Sequence, residues 1–281
     1  MIVSTEGLHD RLEDKNIVLF DCRFNLMNPA EGAALYEQNH IPGAYYAHLD
    51  HHLSGEKGNG GGRHPLPDMN EFQSFLESCG VSNDSTVVAY DDGVSMFAGR
   101  LWWLLKYAGH DDVHILDSGF AGWLEKGYAV TVEKPVRRSA SFSLNIQEDM
   151  RASIEEVIQA SKSGSALLID SRAPERYLGE TEPLDRVPGH IPGAINRFFA
   201  EGLNGTAWKS AEEQQARFEK IDKDAPVIVY CGSGVSAAPN VIAMQMAGFT
   251  NVKLYPGSYS EWSSDETRPV ETEKRDIKGN G

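Results

Sequence analysis

The feature that most constrains the fold of this 281-residue chain is an internal repeat. The sequence His-Ile-Pro-Gly-Ala occurs at residues 40–44 and again at 190–194. Three further pairs keep the same order, namely 19–23 with 168–172, 87–90 with 227–230, and Gly119 and Trp123 with Gly257 and Trp262. Matched segments in one order indicate a duplicated unit of roughly 130 residues, which is the size of an ordinary domain.

The repeat divides the chain into two domains joined by a short linker. We predict an N-terminal domain over residues 1–137, a linker over 138–150 and a C-terminal domain over 151–281. The linker is placed where the sequence becomes polar and loses a clear period, just after Pro135. Another stretch, residues 55–67, is rich in glycine and is interpreted as a mobile connection.

Short apolar runs alternate with helical patterns in both halves. Runs of this kind, bounded by charged residues or glycine, are typical of parallel strands that are buried on both faces. The predicted strands are 17–20, 86–90, 113–116, 166–169, 226–230 and 252–254, and the predicted helices are 69–79, 99–108 and 153–162. The alternation predicts an α/β fold in which each domain is a parallel sheet flanked by helices.

The composition excludes some classes of function. The net charge of −15 disfavours nucleic acid as a partner, because nucleic-acid binding needs a basic surface. No apolar run is long enough for a signal peptide or a membrane helix, so we expect a cytoplasmic protein with no membrane partner. The cysteines are Cys22, Cys79 and Cys231, an odd and sparse set that indicates neither a disulfide framework nor a metal site. Cys22 and Cys79 are interpreted as packing residues.

Cys231 directly follows the predicted strand 226–230, and a loop of small residues and a helical pattern come after it. Ligands of open parallel sheets bind beyond the carboxyl ends of the strands. Gly232 and Gly234 let the loop turn its main-chain N–H groups inward, and the helix adds its N-terminal dipole. Such a pocket favours the thiolate form of cysteine, so Cys231 is the predicted nucleophile. A buried structural cysteine is the alternative.

The corresponding position in the first copy is Asp91. A carboxylate cannot do thiolate chemistry. We therefore expect one active site in the chain, in the C-terminal domain, and a non-catalytic N-terminal domain.

With these motifs, the sequence resembles the tandem-domain rhodanese family over nearly its whole length. The resemblance rests on the Asp-x-Arg strand ends, on His-Ile-Pro-Gly-Ala in both halves, on the cysteine loop, and on the closing segment 257–262. It implies two tandem rhodanese-like domains and a sulfurtransferase that carries sulfur as a persulfide on Cys231. No metal or organic cofactor is expected.

The composition of the cysteine loop bears on the sulfur donor. The active-site loop comprises Gly232, Ser233, Gly234, Val235 and Ser236. The resemblance implies basic residues here in thiosulfate sulfurtransferases, and Cys-Gly-Ser-Gly-Val-Thr in mercaptopyruvate sulfurtransferases. Thiosulfate is a dianion that benefits from a cationic loop, whereas mercaptopyruvate has one carboxylate. We predict transfer from 3-mercaptopyruvate to a thiol acceptor, such as a thioredoxin-like protein, or to cyanide. A thiosulfate:cyanide sulfurtransferase and a protein sulfur relay are the alternatives.

The same resemblance suggests further site residues. Arg176 and Arg186 follow the second Asp-x-Arg strand and are predicted to hold the donor carboxylate, which the arginine fork fits. A surface salt bridge is the alternative for Arg186. Ser233 is predicted to assist proton transfer, and His40 to complete a proton relay. His190, the repeat partner of His40, is expected to cap its own loop.

A phosphatase of the dual-specificity type is the other enzyme class that such a fold can host. It would need an arginine six residues after the cysteine to grip phosphate. That position is Ala237, so the sequence disfavours this class.

Overall fold

A computed structural model describes residues 1–58, 60–136 and 139–275 of the chain. The chain divides into two compact units. Unit 1 contains Met1–Gly55, Leu66–Gln147 and Asn204–Trp208, and unit 2 contains Glu56–Pro65, Glu148–Leu203 and Lys209–Gly281. Each unit therefore includes a short segment that belongs to the other half of the sequence.

Unit 1 is a parallel sheet flanked by helices. Its strands are β1 (Ile2–Val3), β2 (Ile17–Asp21), β3 (Tyr45–Tyr46), β4 (Thr86–Tyr90) and β5 (Val113–Leu116). Its helices are α1 (Thr5–His9), α2 (Glu31–Gln38), α3 (Leu49–His52), α4 (Met69–Ser78), α5 (Met96–Tyr107) and α6 (Gly119–Glu125). The strands lie in the order β1-β5-β4-β2-β3, and every pair is parallel.

Unit 2 repeats this plan. Its strands are β6 (Leu167–Asp170), β7 (Ile195–Asn196), β10 (Val227–Tyr230) and β11 (Val252–Leu254). A separate two-stranded sheet, formed by β8 (Leu203–Asn204) and β9 (Ala207–Trp208), lies in the segment that belongs mostly to unit 1. The helices are α7 (Ile154–Ser163), α8 (Pro174–Tyr177), α9 (Ala211–Arg217), α10 (Ala238–Met246) and α11 (Ser258–Trp262), with 3₁₀ turns at Glu148–Met150 and Phe199–Gly202. The order β11-β10-β6-β7, again all parallel, matches β5-β4-β2-β3.

A buried ion pair at the end of the second strand holds each unit together. Arg23 forks onto Asp21 at 2.7 Å in unit 1, and Arg172 forks onto Asp170 at 2.6 Å in unit 2. Each guanidinium lies 4.0 Å from the centre of an aromatic ring. Burying such a pair is tolerable only because further hydrogen bonds satisfy the remaining donors. Asp170 and Arg172 thus form a structural pair at the end of β6.

The predicted fold class is confirmed, and the predicted strands and helices correspond to β2, β4, β5, β6, β10, β11, α4, α5 and α7. The start of one helix differs by three residues from the prediction. Helix α5 begins at Met96, whereas the predicted helix begins at residue 99. The N–H groups of Phe97 and Ala98 donate to the carboxylate of Asp91 at 3.0 and 3.3 Å. A tertiary cap of this kind cannot be read from local sequence.

The predicted linker is part of a folded unit over much of its length. Phe142 is buried, and the N–H of Gln147 donates to the carbonyl of Tyr107 at 2.8 Å. The structure therefore assigns residues 139–147 to unit 1. The predicted boundary at Arg137 and Arg138 lies outside the described residues.

Candidate active site

Cys231 lies at the carboxyl end of β10 and is 1% exposed. Its main chain is held on both sides by α11. Its N–H donates to the hydroxyl of Ser258 at 3.1 Å, and its carbonyl accepts from the N–H of Tyr259 at 2.9 Å. The hydroxyl of Ser258 also donates to the carbonyl of Tyr255 at 2.8 Å, so the contact that fixes the cysteine is itself fixed.

The same contacts identify the equivalent position in unit 1. There the carbonyl of Asp91 accepts from the N–H of Phe120 at 2.7 Å, as that of Cys231 accepts from Tyr259. The backbone conformation also corrects one pair of the internal repeat. Gly119, which the sequence paired with Gly257, corresponds to Ser258. Both have a φ of 54°, in the left-handed region.

The loop after Cys231 runs from residue 232 to 237 and leads into α10, with Pro239 in the first helical turn. Gly234 has a φ of 77°, and a Cβ there would lie 2.3 Å from the carbonyl oxygen of Pro256. Only glycine fits such a position. Within the described part of the chain, no protein acceptor takes the main-chain N–H groups of Gly232, Ser233, Val235, Ser236 and Ala237. The loop therefore offers donors to an anion.

A buried hydrogen bond joins Ser233 to His64. Nδ1 of His64 lies 2.7 Å from the hydroxyl oxygen of Ser233, and each residue is 6% exposed. The tautomer of the ring decides which atom donates. Sequence reasoning missed His64, because its only signal was a glycine run just before it, and nothing local indicates where such a run leads.

The glycine-rich stretch is not the mobile connection that we expected. The N–H of Gly61 donates to a carboxylate oxygen of Glu261 at 3.0 Å, and the N–H of Arg63 donates to the hydroxyl of Ser260 at 3.0 Å. A Cβ on Gly62 would lie 2.4 Å from the carbonyl oxygen of Gly257. The glycines thus serve close approach of two backbones, and the earlier interpretation was wrong.

Two guanidinium groups lie beside the first residue of the loop. A Cβ built on Gly232 would lie 2.8 Å from Nη2 of Arg63 and 3.4 Å from Nη1 of Arg176. One carboxylate holds both arginines, because Asp185 accepts from Arg63 on Oδ1 and from Arg176 on Oδ2. Arg176 also donates to Glu182 at 2.7 Å. Two guanidiniums therefore lie beside Gly232, the residue after Cys231, with Asp185 and Glu182 as their counterions.

The carboxylates of this cluster differ in their acidity. Burial raises the pKa of Asp185 above its ordinary value, although the neighbouring Arg63 opposes the shift. Burial is the largest single influence on Glu182 and disfavours its ionised form, but the hydrogen bonds from Arg176, Leu184 and Asp185 together with the charge of Arg176 hold the pKa of Glu182 below its ordinary value. Glu182 is therefore the permanent counterion of Arg176, and Asp185 is the more weakly held charge.

The structure brings Arg176 to the loop but gives Arg186 other partners. Nε of Arg186 donates to the carbonyl of Ser263 at 2.8 Å, and Nη1 lies 3.3 Å from Glu266. The side chain of Arg186 is 45% exposed. These contacts are those of the surface salt bridge that was the alternative, and binding of a carboxylate by Arg186 stays a prediction.

The contacts of His40 do not favour a proton relay. Nδ1 lies 2.7 Å from the carbonyl oxygen of Tyr36, and Nε2 lies 3.1 Å from that of Glu133. The fully buried ring also stacks on Tyr36 at 3.9 Å. His190 repeats the pattern on Tyr177, with a hydrogen bond of 2.7 Å and a stacking distance of 3.7 Å. Both histidines thus brace their loops, and we no longer assign His40 to the site.

Among the described residues, no group of three or more His, Cys, Asp and Glu side chains could hold a metal ion. In that same part of the chain, each helix is too short or too polar to cross a membrane.

A family model supports the duplicated plan. The model of the rhodanese-like domain matches residues 4–126 and again residues 153–265. Each match lies within one half of the chain, as the repeat does.

Named relatives are similar over most of their length. A Pseudomonas aeruginosa protein named "Probable 3-mercaptopyruvate sulfurtransferase" is 41% identical over 280 residues, which cover 96% of this chain and 98% of the relative. The thiosulfate sulfurtransferase of Rattus norvegicus is 34% identical over 235 residues, covering 81% of this chain and 78% of the relative. The crystal structure of SseA from Escherichia coli, described as a 3-mercaptopyruvate sulfotransferase, has a TM-score of 0.81 at 31% identity, covering 92% of this chain and 98% of SseA.

Proposed function

This chain belongs to the rhodanese family, and we propose that it transfers sulfur from 3-mercaptopyruvate to a thiol or to cyanide through a persulfide on Cys231. The observation that carries the proposal is a nucleophile set among complementary groups. Cys231 is followed by a loop with open N–H donors, by the Ser233–His64 pair, and by the guanidinium of Arg176. The site thus offers Arg176 to the carboxylate of the donor, Cys231 to its sulfur, and the Ser233–His64 pair for proton transfer.

In the first half-reaction, the thiolate of Cys231 attacks the sulfur of 3-mercaptopyruvate. A sulfur–sulfur bond forms, the carbon–sulfur bond breaks, and its electron pair leaves on pyruvate as the enolate. We assign the carboxylate to Arg176, because a guanidinium binds a carboxylate in a fixed plane. The proton that the enolate takes up passes through Ser233 and His64, which lie 2.7 Å apart.

In the second half-reaction, an acceptor thiolate or cyanide attacks the outer sulfur of the persulfide. The sulfur–sulfur bond breaks and the thiolate of Cys231 is restored. The open N–H groups of Ser233, Val235 and Ala237 stabilise negative charge on the outer sulfur between the two steps, as an oxyanion hole would. The sequence of events gives ping-pong kinetics.

Thiosulfate is the second candidate donor. The sequence argument against it rested on an uncharged loop, yet the Arg63 guanidinium occupies the space beside Gly232. A dianion benefits from two guanidiniums more than a monoanion does. The relative from Rattus norvegicus is named for thiosulfate.

Steady-state kinetics with both donors test the proposal. We expect a larger kcat/KM for 3-mercaptopyruvate than for thiosulfate, with cyanide or a dithiol as the acceptor. Incubation with the donor alone should add one sulfur to the peptide that contains Cys231, as seen by mass spectrometry. A larger kcat/KM for thiosulfate would select the second candidate, and an unmodified peptide would refute both.

The natural acceptor and the location follow from the same chemistry. We propose a reduced thiol protein of the thioredoxin type in the cytoplasm, where thiols are kept reduced. Among the described residues, Cys22, Cys79 and Cys231 form no disulfide.

A further inference from the structure

We propose that Arg63 is a donor-binding residue, whose guanidinium holds the anionic group of the sulfur donor beside Cys231. The idea rests on the proposed function only for the identity of the donor. The chemistry that it requires is a small anion whose reactive atom meets the thiol of Cys231.

A main-chain hydrogen bond and the close packing of the preceding glycines fix the position of Arg63. Its main-chain N–H donates to Ser260, which is itself in α11, the helix that holds Cys231. The preceding glycines bring the segment against the start of that helix. The Nη2 atom of Arg63 then reaches within 2.8 Å of where a Cβ of Gly232 would be. A larger residue at position 232 would oblige this guanidinium to move.

The pairing of Arg63 with Asp185 leaves donors open. The Asp185 carboxylate is 1% exposed, whereas the side chain of Arg63 is 28% exposed. Nη1 of Arg63 takes Asp185, and among the described residues no protein acceptor takes Nη2 or Nε. The structural pair Arg172–Asp170 is different, because both side chains are at most 1% exposed and Nε, Nη1 and Nη2 of Arg172 are all bonded.

The open atom is also the one nearest the loop. Nη2 of Arg63 and both terminal nitrogens of Arg176 lie within 3.5 Å of the Gly232 Cβ position. An anion bound at this point would receive charge-assisted hydrogen bonds from two guanidiniums while Asp185 keeps them in place. This arrangement selects the donor by its charge.

Alkylation of Cys231 tests the site without using sulfur transfer. Iodoacetate carries a carboxylate and iodoacetamide does not, while both transfer a two-carbon group to a thiolate. The rate of each reaction at Cys231 is followed by peptide mass spectrometry in the full chain, and free cysteine supplies the reference ratio of the two rates. We compare the native chain with Arg63→Gln, Arg63→Ala and the control Arg151→Ala. Arg151 is a half-exposed arginine of unit 2 that pairs with Glu148.

In the native chain and in Arg151→Ala, we expect the ratio of iodoacetate to iodoacetamide rates to exceed the reference by ~10-fold or more, since hydrogen bonds to charged groups are stronger than those between neutral groups. In the Arg63 variants the ratio should fall at least ~5-fold. Arg63→Gln keeps the length of the side chain, and it decides the outcome if Arg63→Ala does not fold. An unchanged ratio in Arg63→Gln would overturn the proposal. So would a native chain whose Cys231 shows no preference for iodoacetate or reacts with neither reagent, because an anion site beside the thiol must admit a small carboxylate.

Sulfur-transfer kinetics separate this proposal from the proposed function. The Arg63 variants should raise the KM for 3-mercaptopyruvate ~10-fold and change kcat less. A chain with Arg63-dependent alkylation but without sulfur transfer would keep the anion site and refute the proposed function. A chain that transfers sulfur with the same KM in the Arg63 variants would keep the function and refute the role of Arg63.

Discussion

The loop after Asp91 in unit 1 and the loop after Cys231 in unit 2 start at equivalent points of two equivalent sheets but differ in how their N–H donors are used. The carboxylate of Asp91 accepts main-chain hydrogen bonds from Gly93, Ser95, Phe97 and Ala98 at 2.9–3.3 Å. Unit 1 thus fills its ring of N–H donors with its own side chain. Unit 2 has a thiol at that position, and the donors of its loop stay open to a ligand.

The segments that lie over the two loops differ as well. In unit 1 the indole N–H of Trp208 donates to the hydroxyl of Ser95 at 3.0 Å. In unit 2 the corresponding place beside the loop is taken by His64, on the hydroxyl of Ser233, and by Arg63. The same loop framework therefore stabilises unit 1, where its main-chain N–H donors are satisfied internally, and can take part in chemistry in unit 2, where they are not.

The largest expected effect comes from exchanging the two key side chains. Cys231→Ser should lower sulfur transfer by ~10³-fold or more, because the nucleophile is lost. Adding Asp91→Cys to that variant should restore nothing, since the described segment beside the loop of unit 1 contributes Trp208, whereas that of unit 2 contributes His64 and Arg63. Persulfide formation is measured by mass spectrometry and turnover by thiocyanate release. Activity in the double variant would break the comparison.

The next effect is on stability. Asp91→Ala should lower the free energy of unfolding by about 3 kcal/mol or more, because it leaves buried N–H groups without an acceptor. Asp92→Ala, a neighbouring change at an exposed residue, should cost little. Urea unfolding measures both. Equal losses in the two variants would mean that the ring of donors in unit 1 contributes no special stability.

A smaller effect is expected for the proton-transfer pair. His64→Ala and Ser233→Ala should each lower kcat with 3-mercaptopyruvate by ~10²-fold, and the double variant should lose little more, since the two act together. Trp208→Phe removes the matching contact in unit 1 and should leave kcat unchanged. Additive losses in the double variant would show that the two residues act independently.

The smallest expected effect is a difference between the two units in the stability that each loses in acid. Burial, followed by the neighbouring His48 and His51, lowers the pKa of His52 in unit 1 to about 4. A folded pKa below the unfolded value of about 6.5 means that stability is present above pH 6.5 and is lost as the pH falls towards 4, by at most about 1.4 kcal/mol per pH unit. Burial also lowers the pKa of His110 in unit 1 and of His190 in unit 2.

Hydrogen exchange at pH 7 and pH 5 measures this difference unit by unit. Peptides of unit 1 should lose more protection than those of unit 2, and His52→Gln should reduce the difference. Equal loss in both units would contradict the expectation.

The repeat, the strands and the position of Cys231 could be predicted because they depend on local periodicity and on order along the chain. The start of α5 could not, because the carboxylate of Asp91 caps it from another element. Arg63 and His64 were missed for a related reason. Their role depends on where a glycine-rich stretch packs. Glycine indicates conformational freedom but does not predict which residues the stretch will contact. Arg176 was proposed from the family resemblance, which also pointed to Arg186 but carried no information about the direction of either side chain.

The exchange of short segments between the two units has a consequence for how such a chain can be divided or inherited. A gene fragment that begins at residue 148 would encode Cys231 and Arg176 but would lack residues 56–65, which contribute Arg63 and His64 to unit 2. The reciprocal fragment would lack residues 204–208 of unit 1. Neither half can therefore be shuffled, truncated or transplanted as a self-sufficient module. Selection on the second half therefore also acts on the first, even though the first has Asp91 at the position that corresponds to Cys231.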